Sequence, residues 1–541
     1  MLAAASWAAT QQGGRPSPGG VSYERLRNAA AEPQNWMHYW GNYQATHYSA
    51  LTEITTRNVA RLQPQWSTPL PGTSRLETGP IVIDGIMYTS GQPGTVLAIE
   101  ARTGRRLWQF DRQRKAQNPN EINPFNRGVA ILGNRVFVGT LDAAVVAIDA
   151  QTGALVWETQ VADSMRGYSV TSAPLIVKDK VIVGVSGGEF GAPGFLDAYD
   201  AATGRRVWRW NAIPRPGEFG NDTWAGESWK TGGGPTWLTG SYDPDLDTLY
   251  WAVGNPGAQI DRSVRGDGDN LFTDSVVALD PATGRRKWHY QFTPNDGHDW
   301  DSTEALVLVD RIWHRQHRKL LLHADRNGMF YVLDRTDGKF LAATPFVYQN
   351  WNQGFDGNGR PIQVPGSNSS AEGSFLVYPS LGGGTNFQAP SYSPVTGWFY
   401  LAYSENGQQY VSEPAPFVPG TLYLGRGRGR VANPERLPNE PPPSAGIKAL
   451  DPETGKTVWD YTLAQSSNQN GVMATAGGVV FAATREGRLI ALDARTGSLL
   501  WQHETGAGMA ASPMSFAVDG RQYVAVAAAN AVHGFALPSS P

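Results

Sequence analysis

Short apolar runs alternate with polar turns along almost the whole chain, and one arrangement recurs often enough to decide the fold. An apolar strand ends in Asp or Glu, a turn containing Thr-Gly follows, and a Trp stands four residues after the glycine. The copies are IEARTGRRLW (99–108), IDAQTGALVW (148–157), YDAATGRRVW (199–208), LDPATGRRKW (279–288), LDPETGKTVW (450–459) and LDARTGSLLW (492–501). A degenerate copy, LDRTDGKFL (333–341), lacks the Trp. Asp and Thr side chains bond their own backbone in tight turns and Gly supplies positive φ, so each copy predicts a hairpin. The turn glycines are Gly104, Gly153, Gly204, Gly284, Gly338, Gly455 and Gly497. Between the copies lie further alternating runs such as NRVFVGT (134–140), DKVIVGV (179–185) and GVVFAAT (478–484). Each period then holds about four short strands, the content of a propeller blade.

The seven turns divide the chain into eight three-strand stretches, provided that Gly397 in SYSPVTGWFY is read as an inner turn like that of SYDPDLDTLY (241–250). The last stretch, 509–537, has no outer strand of its own. LQPQWSTPL (62–70) carries a Trp without a preceding turn and is expected to supply it, pairing the two ends of the chain and leaving no free sheet edge. The expectation is an all-β, eight-bladed propeller in one domain over 35–541. Residues 1–34 read as an N-terminal extension whose start, MLAAASWAATQQ, is small and apolar and suits the remnant of an export segment, although it lacks a basic n-region. The intervals Gly204 to Gly284 and Gly338 to Gly455 exceed the roughly 40–50 residues of an ordinary blade, so the excess goes into loops. The Pro- and Gly-rich tract 413–444 is one of these, and it reads equally as a lid or partner surface and as a solvated spacer.

Composition removes several chemistries. With no cysteine among 541 residues, disulfides, thiolate metal sites, iron–sulfur clusters, a cysteine nucleophile and a CxxCH haem attachment are excluded. Forty-five basic residues against 48 acidic ones, with no long block of one sign, argue against nucleic acid as a partner. No apolar run approaches the roughly 18 residues that would suggest a transmembrane helix. There is no GxSxG elbow and no GxxxxGK[ST] loop, and GGGP (232–235), LGGGT (381–385) and GRGRGR (425–430) lack the strand-to-helix context of a nucleotide site.

Four segments carry functional groups that a propeller does not need: GVSGGEFG (184–191), GNP (254–256), NDGHDWDS (295–302) and HADRNG (323–328). Glu189 follows an apolar strand among small residues, which suits a carboxylate that meets a ligand closely. Asp299 and Asp301 flank Trp300, and side chains at i and i+2 of an extended segment share one face. Two carboxylates there repel unless a cation or a proton intervenes, and Asp, Glu and Asn oxygens suit a hard cation such as Ca²⁺. The bland alternative is a pair of solvated loop carboxylates. His298 reads as structural, since no HExxH pattern accompanies it.

These segments, in order, resemble the pyrroloquinoline quinone (PQQ) dependent quinoprotein alcohol dehydrogenase family. NWMHYWGNYQATHYSALTEITTRNVARLQPQW is similar to the family's opening, and ETGPIVIDGIMY, NRGVA, DRNGMFYVLDRTDG and MATAGGVVF to its recurring segments. The resemblance implies an eight-bladed propeller with PQQ near the axis over an aromatic floor at Trp237. It implies contacts to PQQ from Glu77, Arg127, Thr171, Ser186, Gly187, Gly188, Thr236, Arg326 and Asn386. Glu189, Asn255 and Asp299 match the family's cation ligands, Asp299 also its catalytic base, and Arg326 a catalytic partner at the quinone. Asp301 makes Asp-Trp-Asp resemble the Asp-Tyr-Asp of lanthanide-using members, so the implied ion is Ca²⁺ or a lanthanide. The implied activity is oxidation of an alcohol, polyol or sugar hydroxyl in the periplasm, with electrons passed to a cytochrome c or a quinone-linked protein.

Departures are equally specific. Where many members place adjacent cysteines before the arginine, this chain has Glu121 and Ile122. A Trp expected before MATAG is missing, with Gln469 and Asn470 nearby, and Pro235 stands where a Thr is common. A reading from another class, a noncatalytic PQQ-like propeller serving as a binding or assembly scaffold, stays open at this point.

Overall fold

The computed structural model describes residues 20–72, 75–426, 439–464, 467 and 469–538. Eight antiparallel sheets succeed one another along the chain, and each is a blade. The first blade comprises Ile81–Ile83, Ile86–Gly91, Thr95–Glu100 and Arg106–Asp111. The eighth has only Met514–Val518, Arg521–Ala528 and Ala531–Ala536 from the C-terminal end, and Gln63–Pro69 completes it by pairing with Ala531–Ala536, Thr68 opposite Val532. The expected ring closure at eight blades is what the molecule shows. In the first blade the first strand is wholly buried while the fourth is half-exposed, so first strands line the axis and fourth strands form the rim.

The repeated Trp and Gly explain each other. Trp157, on the rim strand of blade two, lies over the turn glycine of blade three, and a Cβ on Gly204 would come within 2.6 Å of its ring. The indole N–H of Trp157 donates to Ala201 O at 3.2 Å in that neighbouring turn, and Trp108, Trp208 and Trp459 donate likewise to Ala150, Pro281 and Ala494. Within the turn, Asp200 Oδ1 accepts from the Thr203 N–H and hydroxyl. The motif is therefore a lock between blades. Where the degenerate copy lacks its Trp, the next turn glycine, Gly455, meets Thr344 instead.

A second element ties the ring from inside. The segment 34–49 exchanges hydrogen bonds with the first strands or entry segments of seven blades. Gln34 O accepts from Ala517 N–H, Trp36 pairs with Val82, Tyr43 OH donates to Ile176 O, and Tyr43 O accepts from Tyr242 N–H. Gln44 O accepts from Leu308 N–H, Thr46 O accepts from Tyr392 N–H, and Tyr48–Ser49 runs parallel to Gly471–Thr475. A chain that reaches so many innermost strands lies on the axis, and it plugs the central channel. Residues 20–28 pack onto the ring as well, Val21 bridging to Gly133 and Leu26 buried, whereas the apolar start lies outside the described residues. Among the described residues no helix is long and apolar enough to cross a membrane.

Antiparallel alternation places the entry to each first strand and the connection from second to third strand at one end of the ring, and the Thr-Gly turns at the other. All extra length accordingly gathers at one end. Gly204→Ala is expected to lower the denaturation midpoint more than Gly397→Ala. Both positions have φ near 75°, at 71° and 75°, which alone costs an alanine about 1 kcal/mol or more, but only at Gly204 does the new methyl also meet a neighbouring ring. Equal midpoints would remove the lock.

Candidate active site

At the end of the ring opposite the Thr-Gly turns lies a cavity of about 440 Å³. Its walls come from blade entries and from second-to-third connections: Glu77 before blade one, Arg127 before blade two, Thr171 before blade three, Trp237 before blade four, Asp299 and Asp301 before blade five, and Asn386 before blade six. Ser186, Gly187 and Glu189 enter from the connection of blade three, and Arg326 from that of blade five.

Local sequence aims the two aspartates. Asp296 accepts from the backbone N–H of His298 and of Trp300 and from the His298 ring, which folds 296–300 into a tight turn. The other ring nitrogen of His298 meets Ser367 O at 2.8 Å, and the ring stacks on Trp300 at 3.9 Å, so His298 is structural as expected. Trp300 is buried in the core while its two neighbours face the cavity, the arrangement that i and i+2 spacing predicts. Asp299 takes φ of 65°, a left-handed conformation that short polar residues tolerate. Asp301 Oδ1 accepts from Asn255 N–H at 2.9 Å, and its Oδ2 accepts from Trp237 Nε1 and Arg326 Nη1, both at 3.2 Å. Gly254 of the GNP segment leaves room for this approach, since a Cβ there would lie 2.0 Å from Asp301 Oδ1.

On the opposite wall, Glu77 bridges Arg127 at 2.8 Å and Arg75 at 3.2 Å. The Arg127 guanidinium lies 4.5 Å from the Trp237 ring and 4.6 Å from that of Phe387. The Thr171 and Ser186 hydroxyls are 2.7 Å apart. Asn386 stands at the edge with its amide on Gly382 O. Three expected residues do not line the cavity. Thr236 sits behind the wall, its hydroxyl donating to Phe195 O and accepting from Val185 N–H. Gly188 packs on Pro235, and Asn255 is buried with its Oδ1 turned toward Gly188.

The electrostatics call for a proton or a cation. Burial pushes the Asp299, Asp301 and Glu189 carboxyls above their ordinary range; Arg326 opposes this at both aspartates, and repulsion from Asp301 adds to it at Asp299 and Glu189. Oxygen donors crowded in this way suit a hard ion, which holds them ionised. Arg127 Nε and Arg326 Nε have no partner among the described residues, and with the neighbouring hydroxyls and the indole floor they fit a flat polyanionic ring system. Behind Arg326, Glu304, His323 and Asp325 form a fully buried group whose ligand atoms lie within 4.8 Å of one another.

A family model for the PQQ β-propeller domain of glucose/ethanol/alcohol dehydrogenases matches residues 36–346 and 359–524. The chain belongs to the PQQ-dependent alcohol dehydrogenase family. Within it, the quinohemoprotein alcohol dehydrogenase of Comamonas testosteroni is 39% identical over 529 residues, covering 94% of this chain and 74% of the relative. Its crystal structure superposes with a TM-score of 0.89, at 35% identity over 96% of this chain and 83% of the other. The quinoprotein alcohol dehydrogenase PedH of Pseudomonas putida is 37% identical over 537 residues, 94% of this chain and 88% of the relative. A europium-containing methanol dehydrogenase matches at TM-score 0.87 and 32% identity, with 95% and 100% covered.

Glu121 and Ile122 line the cavity, Glu121 tied down by Arg114 at 2.8 Å. Gln469 lines it too, beside Arg485. Among the lining residues that the sequence did not flag are Arg75, Gln259, Arg426 and Arg485. Arg426 belongs to the GRGRGR run, whose only readable signal was its glycine content.

Because the site carboxyls bind protons more tightly here than in the unfolded chain, the cation-free protein is expected to lose stability as pH rises through their raised values. Below the ordinary carboxylate range that contribution is complete. A bound cation removes the penalty, so thermal melts against pH with and without Ca²⁺ or La³⁺ should diverge as pH rises; parallel curves would count against a cation site.

Proposed function

We propose that the protein is a PQQ-dependent dehydrogenase that oxidises an alcohol, polyol or sugar hydroxyl to an aldehyde or ketone. One observation carries this reading: Glu189, Asp299 and Asp301 come together in a cavity that also offers Arg127, Thr171, Ser186 and the Trp237 ring. A noncatalytic scaffold has no use for three carboxyls held against their mutual repulsion.

PQQ would be held by Arg127, Glu77, Thr171, Ser186, Gly187, Arg326 and Asn386 over Trp237, with Gly188 and Thr236 supporting the wall. Bound there, it would supply a two-electron acceptor for the hydride of the carbinol carbon. Glu189, Asn255 and Asp299 would hold the cation. Asp301 Oδ2 already serves Trp237 and Arg326, yet a carboxylate has about four lone-pair sites, so a place for the ion remains. More negative charge favours a trivalent ion by Coulomb attraction, and the europium-containing relative supports a lanthanide beside Ca²⁺.

Asp299 is the base. Its carboxylate takes the proton of a substrate hydroxyl within hydrogen-bond reach. Arg326, anchored on Leu381 O at 2.6 Å and on Asp301, fixes one side of the site as a guanidinium. The electrons are passed to a separate acceptor, a cytochrome c or a quinone-linked protein, in the periplasm.

Asp299→Asn is expected to keep PQQ, measured by its absorbance, and to lower dye-linked turnover by about 10²–10⁴-fold. Full activity would sink the base assignment. Asp301→Ala is expected to weaken lanthanide-supported activity more than Ca²⁺-supported activity in parallel reconstitutions. An unchanged preference would remove Asp301 from the choice of ion.

A further inference from the structure

One lining side chain holds neither cofactor nor cation. Arg426 reaches into the cavity from the long connection of blade six, its Nη2 2.9 Å from Asp299 Oδ2 and 2.8 Å from Gln259 Oε1. The surrounding backbone fixes its place. Tyr423 N–H donates to Glu189 O at 2.6 Å, Ile260 N–H to Leu424 O at 3.0 Å, and Glu413 N–H to Gly425 O at 3.1 Å. The Asp299 side chain is 9% exposed and that of Arg426 is 40% exposed, so the arginine is the member of the pair that can turn away.

The guanidinium stands against Oδ2 of the proposed base. When a hydroxyl arrives there, the two partners fare differently. Asp299 keeps a counter-charge in the cation, whereas Arg426 loses its own, with the modest cost of breaking a partly exposed ion pair. A neutral alcohol leaves that cost standing. An alcohol that carries a carboxylate removes it, because the guanidinium fork takes a carboxylate in place of the aspartate. Arg75 and Arg485 also line the cavity and add positive potential on the way in.

We propose that Arg426, with Gln259 beside it, is a carboxylate-binding subsite, and that the preferred substrates are short hydroxycarboxylates. Arg426 and Asp299 touch, so the carboxylate sits one or two carbons from the carbinol. The proposal rests on the dehydrogenase reading of the site and adds a binding contact, with no change in the bonds made or broken.

The test uses enzyme loaded with PQQ and the cation that supports turnover, and compares glycolate and 3-hydroxypropanoate with ethanol and 1-propanol. Wild type is expected to favour the acids in kcat/KM. Arg426→Gln is expected to reduce the glycolate-to-ethanol ratio about tenfold or more through KM, and Arg426→Lys to fall between the two. Calorimetric binding of propanoate, which carries no hydroxyl, should weaken by a similar factor in Arg426→Gln. A ratio that the substitution does not move, or a wild type that prefers ethanol, overturns the subsite. If no compound is oxidised, the dehydrogenase reading fails, and propanoate binding alone then decides the subsite.

Discussion

The molecule depends on an indole that bridges two sheets. Trp108, Trp157, Trp208 and Trp459 each lie over the turn glycine of the next blade and give their N–H to a carbonyl there, so the angle between those blades is set by one flat side chain and one missing methyl. Repeated around the ring, that angle allows eight blades, and eight blades leave a central gap of fixed width. Closure through Gln63–Pro69 then removes the free edge that an open ring of sheets would present. The lock sits at the rim and its turns face away from the cavity, so the opposite end is free to carry loops of any length.

Those loops gather charge as well as shape. Five arginines and five acids line one cavity, and most of them are paired: Glu77 with Arg75 and Arg127, Asp301 with Arg326, Asp299 with Arg426. The three carboxyls at one end remain too close for their own comfort in a dry site. A hard cation relieves this, and the wall that faces it supplies donors for an anionic ring. The site is thus two complementary halves, one short of positive charge and one with donors to spare.

The fold was legible because the lock is local in sequence. Asp, Thr, Gly and Trp fall at fixed offsets within ten residues, and even the missing rim strand could be found at 62–70 from its lone Trp. Asp299, Asp301 and Glu189 were legible as chemistry because they sit in short segments with no structural need for them. Thr236 and Gly188 were placed on the site by resemblance, and the structure puts them one layer behind it, bracing Val185 and Pro235. Arg426 was legible only as part of the GRGRGR run in a long loop, with no sign of a place in the cavity. It comes from a long connection without periodicity, and its partner Asp299 is 127 residues away, joined to it only by where blades five and six meet the axis.

The axial segment imposes an order on the chain's history. Residues 34–49 are made among the first, yet their hydrogen-bond partners include Leu308, Tyr392, Ala474 and Ala517, which are made hundreds of residues later. Contacts of such long sequence separation form late, because loop closure must come before them. The plug therefore waits for the ring it will stop, and it is seated only when the last blade has found the strand that belongs to it.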